Sequence, residues 1–403
     1  MKVAVLHPNF PGQFRRLCER WVREGQHQVI ALGGKDAPGL PEITTHRVIS
    51  HRAGSPHVHP YLRSLEAAVI RGQSVARRLR QLRAQVSPDV VLAHPGWGDA
   101  LFVKEVFPNA KLVNFSEFFY LSEGGDVNFD PEFPSAADDL ARIRVRNALH
   151  LLNLEYCDLA VSPTQWQKSV HPAAYQDKIR VVHEGIDVDY MSPRAMPSPG
   201  NLVFDDGTVL TPRHKIVTFI ARNLEPYRGF HTMMRASRQI LLQDPHVHIV
   251  LVGGMDVSYG ARPPGGGSWK DVMVSETGLN DPRLHFTGKV SYSALRQLML
   301  MSSVHVYLTY PFVLSWSMLE AMACECLVVG SDTPPVREVI EHGRNGLLVD
   351  FFSPAGLSST ILECLANPDR FRPLRVAARR TIVDRYSLDA GHSGYSALIE
   401  SLF

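Results

Sequence analysis

No apolar run in this 403-residue chain approaches the roughly 18 residues that span a bilayer. The opening Met1-Lys2-Val3-Ala4-Val5-Leu6-His7-Pro8 has only a short apolar stretch, which reads as a first β-strand rather than a secretory leader. Neither sign of charge is in excess. With 42 Lys and Arg against 40 Asp and Glu, the net charge of +2 argues against a general nucleic-acid binder. The five cysteines, Cys18, Cys157, Cys324, Cys326 and Cys364, are scattered and form no CxxC pair. That excludes the usual zinc sites and a disulfide framework, and Cys324 and Cys326, in an apolar stretch, read as core thiols. Glycine (29) and proline (28) stay below the level of low-complexity chains. The acidic stretch Glu123–Asp139 has no DxD, only Asp138-Asp139. His46, His51, His57 and His59 lack metal-ligand spacing and read as a polar loop. The expectation is a reduced, cytoplasmic protein with no metal and no cofactor.

What the chain does contain is alternation. Short β-branched runs expected as strands fall at Val3–His7, Val29–Leu32, Val90–Ala93, Leu112–Phe115, Leu159–Ser162 and Ile179–His183. Helical patterns lie between them, at Gln13–Glu24, Leu62–Ala84 and Ala136–Glu155. The second half repeats the rhythm, with strands at Ile216–Ile220, His248–Val252, Leu284–Thr287, Val304–Leu308 and Leu327–Gly330. Helices are expected there at Phe230–Gln243, Tyr292–Met301, Ser317–Ala323 and Leu357–Ala366. This is the pattern of parallel α/β architecture. Met191–Arg213, with Pro193, Pro197, Pro199, Gly200, Gly207 and Pro212, reads as a hinge. The expected organisation is a domain at 1–190, the hinge at 191–213, a second domain at 214–375, and a terminal helix at 376–403 crossing back to the first domain. In doubly wound sheets ligands lie outside the carboxyl ends of the strands, so the crevice between the halves is the expected site.

The most informative stretch is Arg283–Asp350, RLHFTGKVSYSALRQLMLMSSVHVYLTYPFVLSWSMLEAMACECLVVGSDTPPVREVIEHGRNGLLVD. It resembles the donor-binding half of the retaining glycosyltransferases of family 4, with TGKV, LEAMAC, SD, EVI and GxxGLLV in order. ARNLEPYRGF (221–230), HEGIDVDYMSP (183–193), LVGG (251–254) and NFPGQF (9–14) extend the resemblance over most of the chain. It implies the GT-B fold, two Rossmann-like domains of doubly wound parallel sheet facing each other across a cleft.

The resemblance also implies roles. Arg222 and Arg228 would grip a donor diphosphate, a chemistry that guanidinium forks suit. Glu320 would accept hydrogen bonds from ribose hydroxyls, and the backbone near Lys289 and Val290 would read the base. The segment Phe312, Val313, Leu314, Ser315 and Trp316 opens a helix whose free N–H groups would face the phosphates. Gly12, Gly253 and Gly254 occupy donor-side glycine turns. On the acceptor side the candidates are His94, Trp97, Ser116, Glu117 and Tyr120, with Glu117 also counted as catalytic. Glu117 could equally cap the next turn.

Departures from the family pattern are four. Arg228 replaces a lysine, and Phe312 stands where the first Glu of E-x7-E belongs. Glu325 replaces a glycine, and no histidine follows Lys111–Phe115. The implied reaction is transfer of a hexose-type sugar from a UDP- or GDP-sugar to a hydroxyl acceptor, as in bacterial polysaccharide, glycolipid or glycoconjugate biosynthesis. The acceptor is a glycan, a lipid-linked molecule or a small molecule. An inactive nucleotide-sugar-binding protein of the same fold, or a nucleotide-sugar epimerase, is the alternative. Arg71, Arg77, Arg78, Arg80 and Arg83 share one helix and read as a solvated basic face. The sharper reading is a peripheral contact with an anionic membrane at the inner face of the plasma membrane. Gly260–Trp269 reads either as a lid beside the donor or as a surface loop.

Overall fold

The computed structural model describes residues 1–196, 198–204 and 207–403; the hinge residue Pro197 lies outside the described residues. The chain divides into two compact units, Met1–Gly185 with Leu388–Phe403, and Ile186–Ser387.

Unit 1 carries β1 (Lys2–Leu6), α1 (Arg15–Arg23), β2 (Gln28–Gly33), β3 (Thr45–Arg47), α2 (Arg63–Leu82), β4 (Val90–Ala93) and β5 (Lys111–Phe115). After these come α3 (Ala137–Tyr156), β6 (Leu159–Ser162), α4 (Gln165–Ser169), α5 (Ala173–Gln176) and β7 (Ile179–Val181). The strands form a parallel seven-stranded sheet in the order β3-β2-β1-β4-β5-β6-β7. A parallel sheet is covered on both faces, which is why its strands read as nearly continuous apolar runs. In β1, Val3 and Val5 pack into one core with Phe14 and Trp21. Ala4 and Leu6 pack into another with Leu79 and Val91.

Unit 2 begins with the small hairpin β8 (Leu202–Val203) and β9 (Val209–Leu210). It continues through β10 (Lys215–Asn223), α6 (Phe230–Gln243), β11 (Val247–Gly254), α7 (Trp269–Thr277), β12 (Leu284–Gly288) and α8 (Tyr292–Met301). Then follow β13 (Val304–Tyr307), α9 (Trp316–Ala323), β14 (Val328–Ser331), α10 (Pro334–Arg337), β15 (Leu347–Val349), α11 (Pro354–Ala366) and α12 (Pro368–Arg385). Its six-stranded parallel sheet runs β12-β11-β10-β13-β14-β15. Each sheet reverses its winding direction beside its first long strand, between β1 and β4 and between β10 and β13. These switch points open ligand crevices at the carboxyl ends of the strands.

The sequence anticipated the central strands and long helices but not β3, β15, the β8–β9 hairpin or α7. Two boundaries also differ. The chain passes between units at Gly185–Ile186 and Ser387–Leu388, whereas the proline-rich stretch suggested 191–213. Ile186 and Met191 are fully buried in the core of unit 2, and Arg379 hydrogen-bonds the Val188 and Met191 carbonyls. Proline and glycine mark an exposed connection; burial decides which unit owns it. The expected single helix over 376–403 is two. α12 belongs to unit 2, and α13 (Leu388–Glu400) packs Tyr395, Leu398 and Ile399 into the unit 1 core.

Three further features follow from burial and backbone geometry. All five cysteines are free and buried. Glu325, just past α9, adopts φ +59°. Glu325 N–H donates to Met322 O and Cys326 N–H to Ala321 O, the hydrogen bonding of a left-handed helix stop where glycine is unstrained. Glu325→Gly should therefore raise the free energy of unfolding by up to about 1 kcal/mol, read from the denaturation midpoint; a lower midpoint would contradict the strain. Third, burial holds His7, His171 and His183 down to about 4. The folded state then binds fewer protons than the unfolded one between pH 6.5 and 4, so this stability is present above pH 6.5 and lost on acidification. Each such histidine should cost about 2 kcal/mol by pH 5. A melting temperature independent of pH between 7.5 and 5 would disprove it.

No helix of the described residues is long and apolar enough to cross a membrane. The basic face of α2 is smaller than expected. Arg77, Arg80 and Arg83 are exposed, but Arg71 turns inward to pair with the buried Asp99 at 2.8 Å and to donate to Val48 O at 2.9 Å.

Candidate functional site

In unit 2 the loops after β10, β11 and β12 meet. A Cβ at Gly254 would collide with the Asn223 carboxamide and would lie 2.9 Å from the Lys289 Cε, which places these side chains close about the turn. Gly253 is more tightly confined, because the atom 2.9 Å from its would-be Cβ is a backbone oxygen, Ala221 O. Arg222 and Lys289 are exposed at the ends of β10 and β12. Among the described residues neither side chain has a hydrogen bond or ion pair. Two uncompensated cations beside a glycine turn form a ready site for an anion. Val290 packs its side chain against the Leu210–Ile216–Val250 cluster and leaves its backbone at the loop.

Arg228 has a different setting. It is 7% exposed, and its Nη1 donates to Thr309 Oγ1 (2.7 Å), Val313 O (3.0 Å) and Tyr307 Oη (3.2 Å). Its guanidinium fastens the loop after β13 through that one nitrogen. Phe312 lies in that loop, 4% exposed, its ring 4.9 Å from Tyr259 and 5.3 Å from Tyr227. The position that carries a carboxylate in the family pattern is thus an aromatic packing position. Leu314 is buried in the core below. Ser315 N–H donates to Tyr307 Oη at 2.7 Å, and Ser315 Oγ caps α9. Trp316 remains 37% exposed at the first turn.

Glu320, one turn further along α9, is buried and accepts from the Tyr292 hydroxyl at 2.8 Å. Tyr292 stacks on Tyr190, ring centroids 5.3 Å apart. Sequence reasoning missed Tyr292, Thr309 and Glu225. The Glu225 carboxylate, with no exposure, accepts the N–H groups of Ser258, Tyr259 and Gly260 at 3.0, 3.2 and 3.0 Å. The start of the expected lid is pinned by that carboxylate, and Trp269 Nε1 donates back to Ala261 O.

In unit 1 a cavity of about 630 Å³ opens at the carboxyl ends of β4 and β5. His94, Trp97, Glu117 and Tyr120 line it; Ser116 does not. Ser116 continues the sheet instead, its N–H donating to Val161 O. His94 Nδ1 accepts from Gly96 N–H at 3.1 Å, which leaves the ring proton on Nε2, 3.5 Å from Glu117 Oε2. The Glu117 backbone is held by Gln167, whose amide donates to its carbonyl at 2.6 Å. Asn147 clamps Tyr120 by bonding both its N–H and its carbonyl. Gly12, at φ +50°, packs against the His7 ring, and a Cβ there would sit 2.6 Å from His7 Nε2. It supports the His7–His94–Trp97 aromatic group and is not among the residues lining the cavity. The sequence did not single out Arg142, Arg146 or His150, which also line the cavity; they look like ordinary residues of a polar helix until α3 is docked.

Comparison with known proteins decides the family. The family model for the glycosyl transferase family 4 group matches residues 25–191, and that for glycosyl transferases group 1 matches residues 206–381. The chain belongs to the group 1 glycosyltransferases of the family 4 type. Alpha-maltose-1-phosphate synthase of Mycolicibacterium smegmatis is 28% identical over 223 residues, 54% of this chain and 55% of that protein. D-inositol 3-phosphate glycosyltransferase of Thermomonospora curvata is 23% identical over 208 residues, 51% of this chain and 47% of that protein. The chain thus matches about half the length of these curated relatives. Among solved structures, sucrose-phosphate synthase from Thermosynechococcus elongatus superposes with TM-score 0.74 at 16% identity, over 100% of this chain and 99% of the other. The Anabaena protein HepE, crystallised with UDP-glucose, gives TM-score 0.70 at 16% identity, over 100% of both chains. These likenesses identify the fold of this glycosyltransferase as GT-B.

Proposed function

We propose that this glycosyltransferase moves a hexose-type sugar, with retention and without a metal, from a nucleotide diphosphate sugar bound by unit 2 to a hydroxyl acceptor bound by unit 1. The observation that carries the reading is the pair of unpartnered cations, Arg222 and Lys289, at strand ends of the same unit that holds the buried Glu320. HepE, crystallised with UDP-glucose, favours a uridine donor by analogy. In this reading Arg222 and Lys289 hold the diphosphate, and Glu320 accepts from the ribose diol. The acceptor hydroxyl attacks the anomeric carbon as the bond to the diphosphate oxygen breaks. The electron pair leaves on that oxygen, and a phosphate oxygen takes the hydroxyl proton. Fixed positive charge matters most where negative charge develops, which is on the leaving diphosphate. Arg228 and Glu225 act behind it, as residues that position the two loops.

The test is a thermal-shift series with UDP, GDP, ADP, CMP and their common sugar conjugates, without added metal. One base should stand out, with about 2.7 kcal/mol of stabilisation at 100 times its dissociation constant. No stabilisation by any member of the series would sink the donor assignment.

A further inference from the structure

The buried carboxylate of Glu320 stands at the end of a column of side chains to which the family pattern gives no role. Tyr292 is the first residue of α8, and Ser291 ahead of it caps the helix by accepting the Ala294 N–H at 3.2 Å. A side chain leaving a capped first turn starts from a fixed backbone. The Tyr292 ring lies parallel to that of Tyr190, with 7° between the planes and 5.3 Å between centroids. Arg296, four residues further along α8 and so on the same face, lies 4.0 Å from the Tyr190 ring centroid. Its Nη1 also donates to Tyr190 O at 3.4 Å. α8 therefore grips Tyr190 with two side chains. Tyr190 is held from its own segment as well, its N–H donating to Asp187 Oδ1 at 2.9 Å, and the next residue, Met191, is fully buried. At the far end of the column the Tyr292 hydroxyl donates to Glu320 Oε1 at 2.8 Å.

We infer that Tyr292 is a positioning residue for the donor, and that it acts through Glu320, with Tyr190 as its brace. The inference rests on the reading of Glu320 as the acceptor for the ribose diol and deepens it. Glu320 sits on α9 and Tyr292 on α8, 28 residues apart in the chain, so only the fold joins them. A glutamate side chain has several freely turning bonds, and two hydroxyls are read well only by a carboxylate in one orientation. A hydroxyl donating to an ionised oxygen is among the stronger hydrogen bonds. A carboxylate offers about four acceptor sites, so one such donor orients it without exhausting it. The parallel stack on Tyr190 in turn fixes the direction of that hydroxyl.

The test is calorimetric titration of the full chain with UDP and with 2′,3′-dideoxy-UDP, the ratio of the two affinities being the readout. A merely structural defect weakens both nucleotides alike and leaves the ratio unmoved. Tyr292→Phe removes the hydroxyl and keeps the ring, and should lower the ratio about tenfold, the scale of one hydrogen bond to a charged group. Tyr190→Ala should lower it by a smaller factor, and Tyr190→Phe, which keeps the stack, should restore it. The double variant Glu320→Gln/Tyr292→Phe should discriminate no worse than Glu320→Gln alone, because residues that act through one another are not additive. A wild-type ratio in Tyr292→Phe overturns the inference. So does full additivity in the double variant, which would have Tyr292 touch the ribose by itself. Failure of wild type to discriminate between the two nucleotides would instead count against Glu320 as the ribose acceptor.

Discussion

Arg222→Ala should lower the rate of sugar transfer about 10²–10³-fold, the scale expected when one group facing developing charge is removed. It should do so without disturbing the fold. The side chain is exposed and has no partner among the described residues, so the unfolding free energy should stay within about 0.5 kcal/mol of wild type. The contrast with Arg228 gives the experiment its force. Arg228 is buried and bonds Thr309, Val313 and Tyr307. Arg228→Ala should cost at least about 2 kcal/mol of stability, because hydrogen bonds to a charged group are lost and buried acceptors are left unmet. Steady-state kinetics and denaturant unfolding on both variants separate the roles. If Arg222→Ala turned over like wild type, that arginine would not touch the diphosphate.

Glu320→Gln should weaken nucleotide-sugar binding about 10- to 100-fold, since it exchanges a charged acceptor for a neutral one facing two hydroxyls. The amide oxygen can still accept from Tyr292, whose hydroxyl lies 2.8 Å from Oε1, so the local packing should survive. Comparing the nucleotide with its 2′,3′-dideoxy form assigns the cause. Wild type should discriminate strongly between them and the variant hardly at all. Equal discrimination by both proteins would remove Glu320 from the ribose and leave it as a buried partner of Tyr292.

The other features that matter are matters of placement. Phe312 looked in the sequence like a lost carboxylate beside the donor. Packed against Tyr227 and Tyr259, it reads as an aromatic brace over the loop that Arg228 holds. Glu325 in a glycine position is explained by the left-handed helix stop it occupies.

The sequence by itself determined the α/β class, the parallel strand rhythm and the family, because apolar periodicity and contiguous motifs are local properties. It also singled out His94, Trp97, Glu117 and Tyr120, which follow the ends of recognisable strands and line one cavity in the fold. It could not separate Arg222 from Arg228, two arginines of one motif, since only the fold leaves the first exposed and buries the second against Tyr307, Thr309 and Val313. Nor could it distinguish Arg71, drawn inward by Asp99, from the exposed arginines of α2. Arg142 and Arg146 line a cavity only because α3 lies beside residues far away in the chain. Long-range packing decided these placements, because side-chain charge is written in the sequence whereas its solvation and neighbours depend on the folded chain.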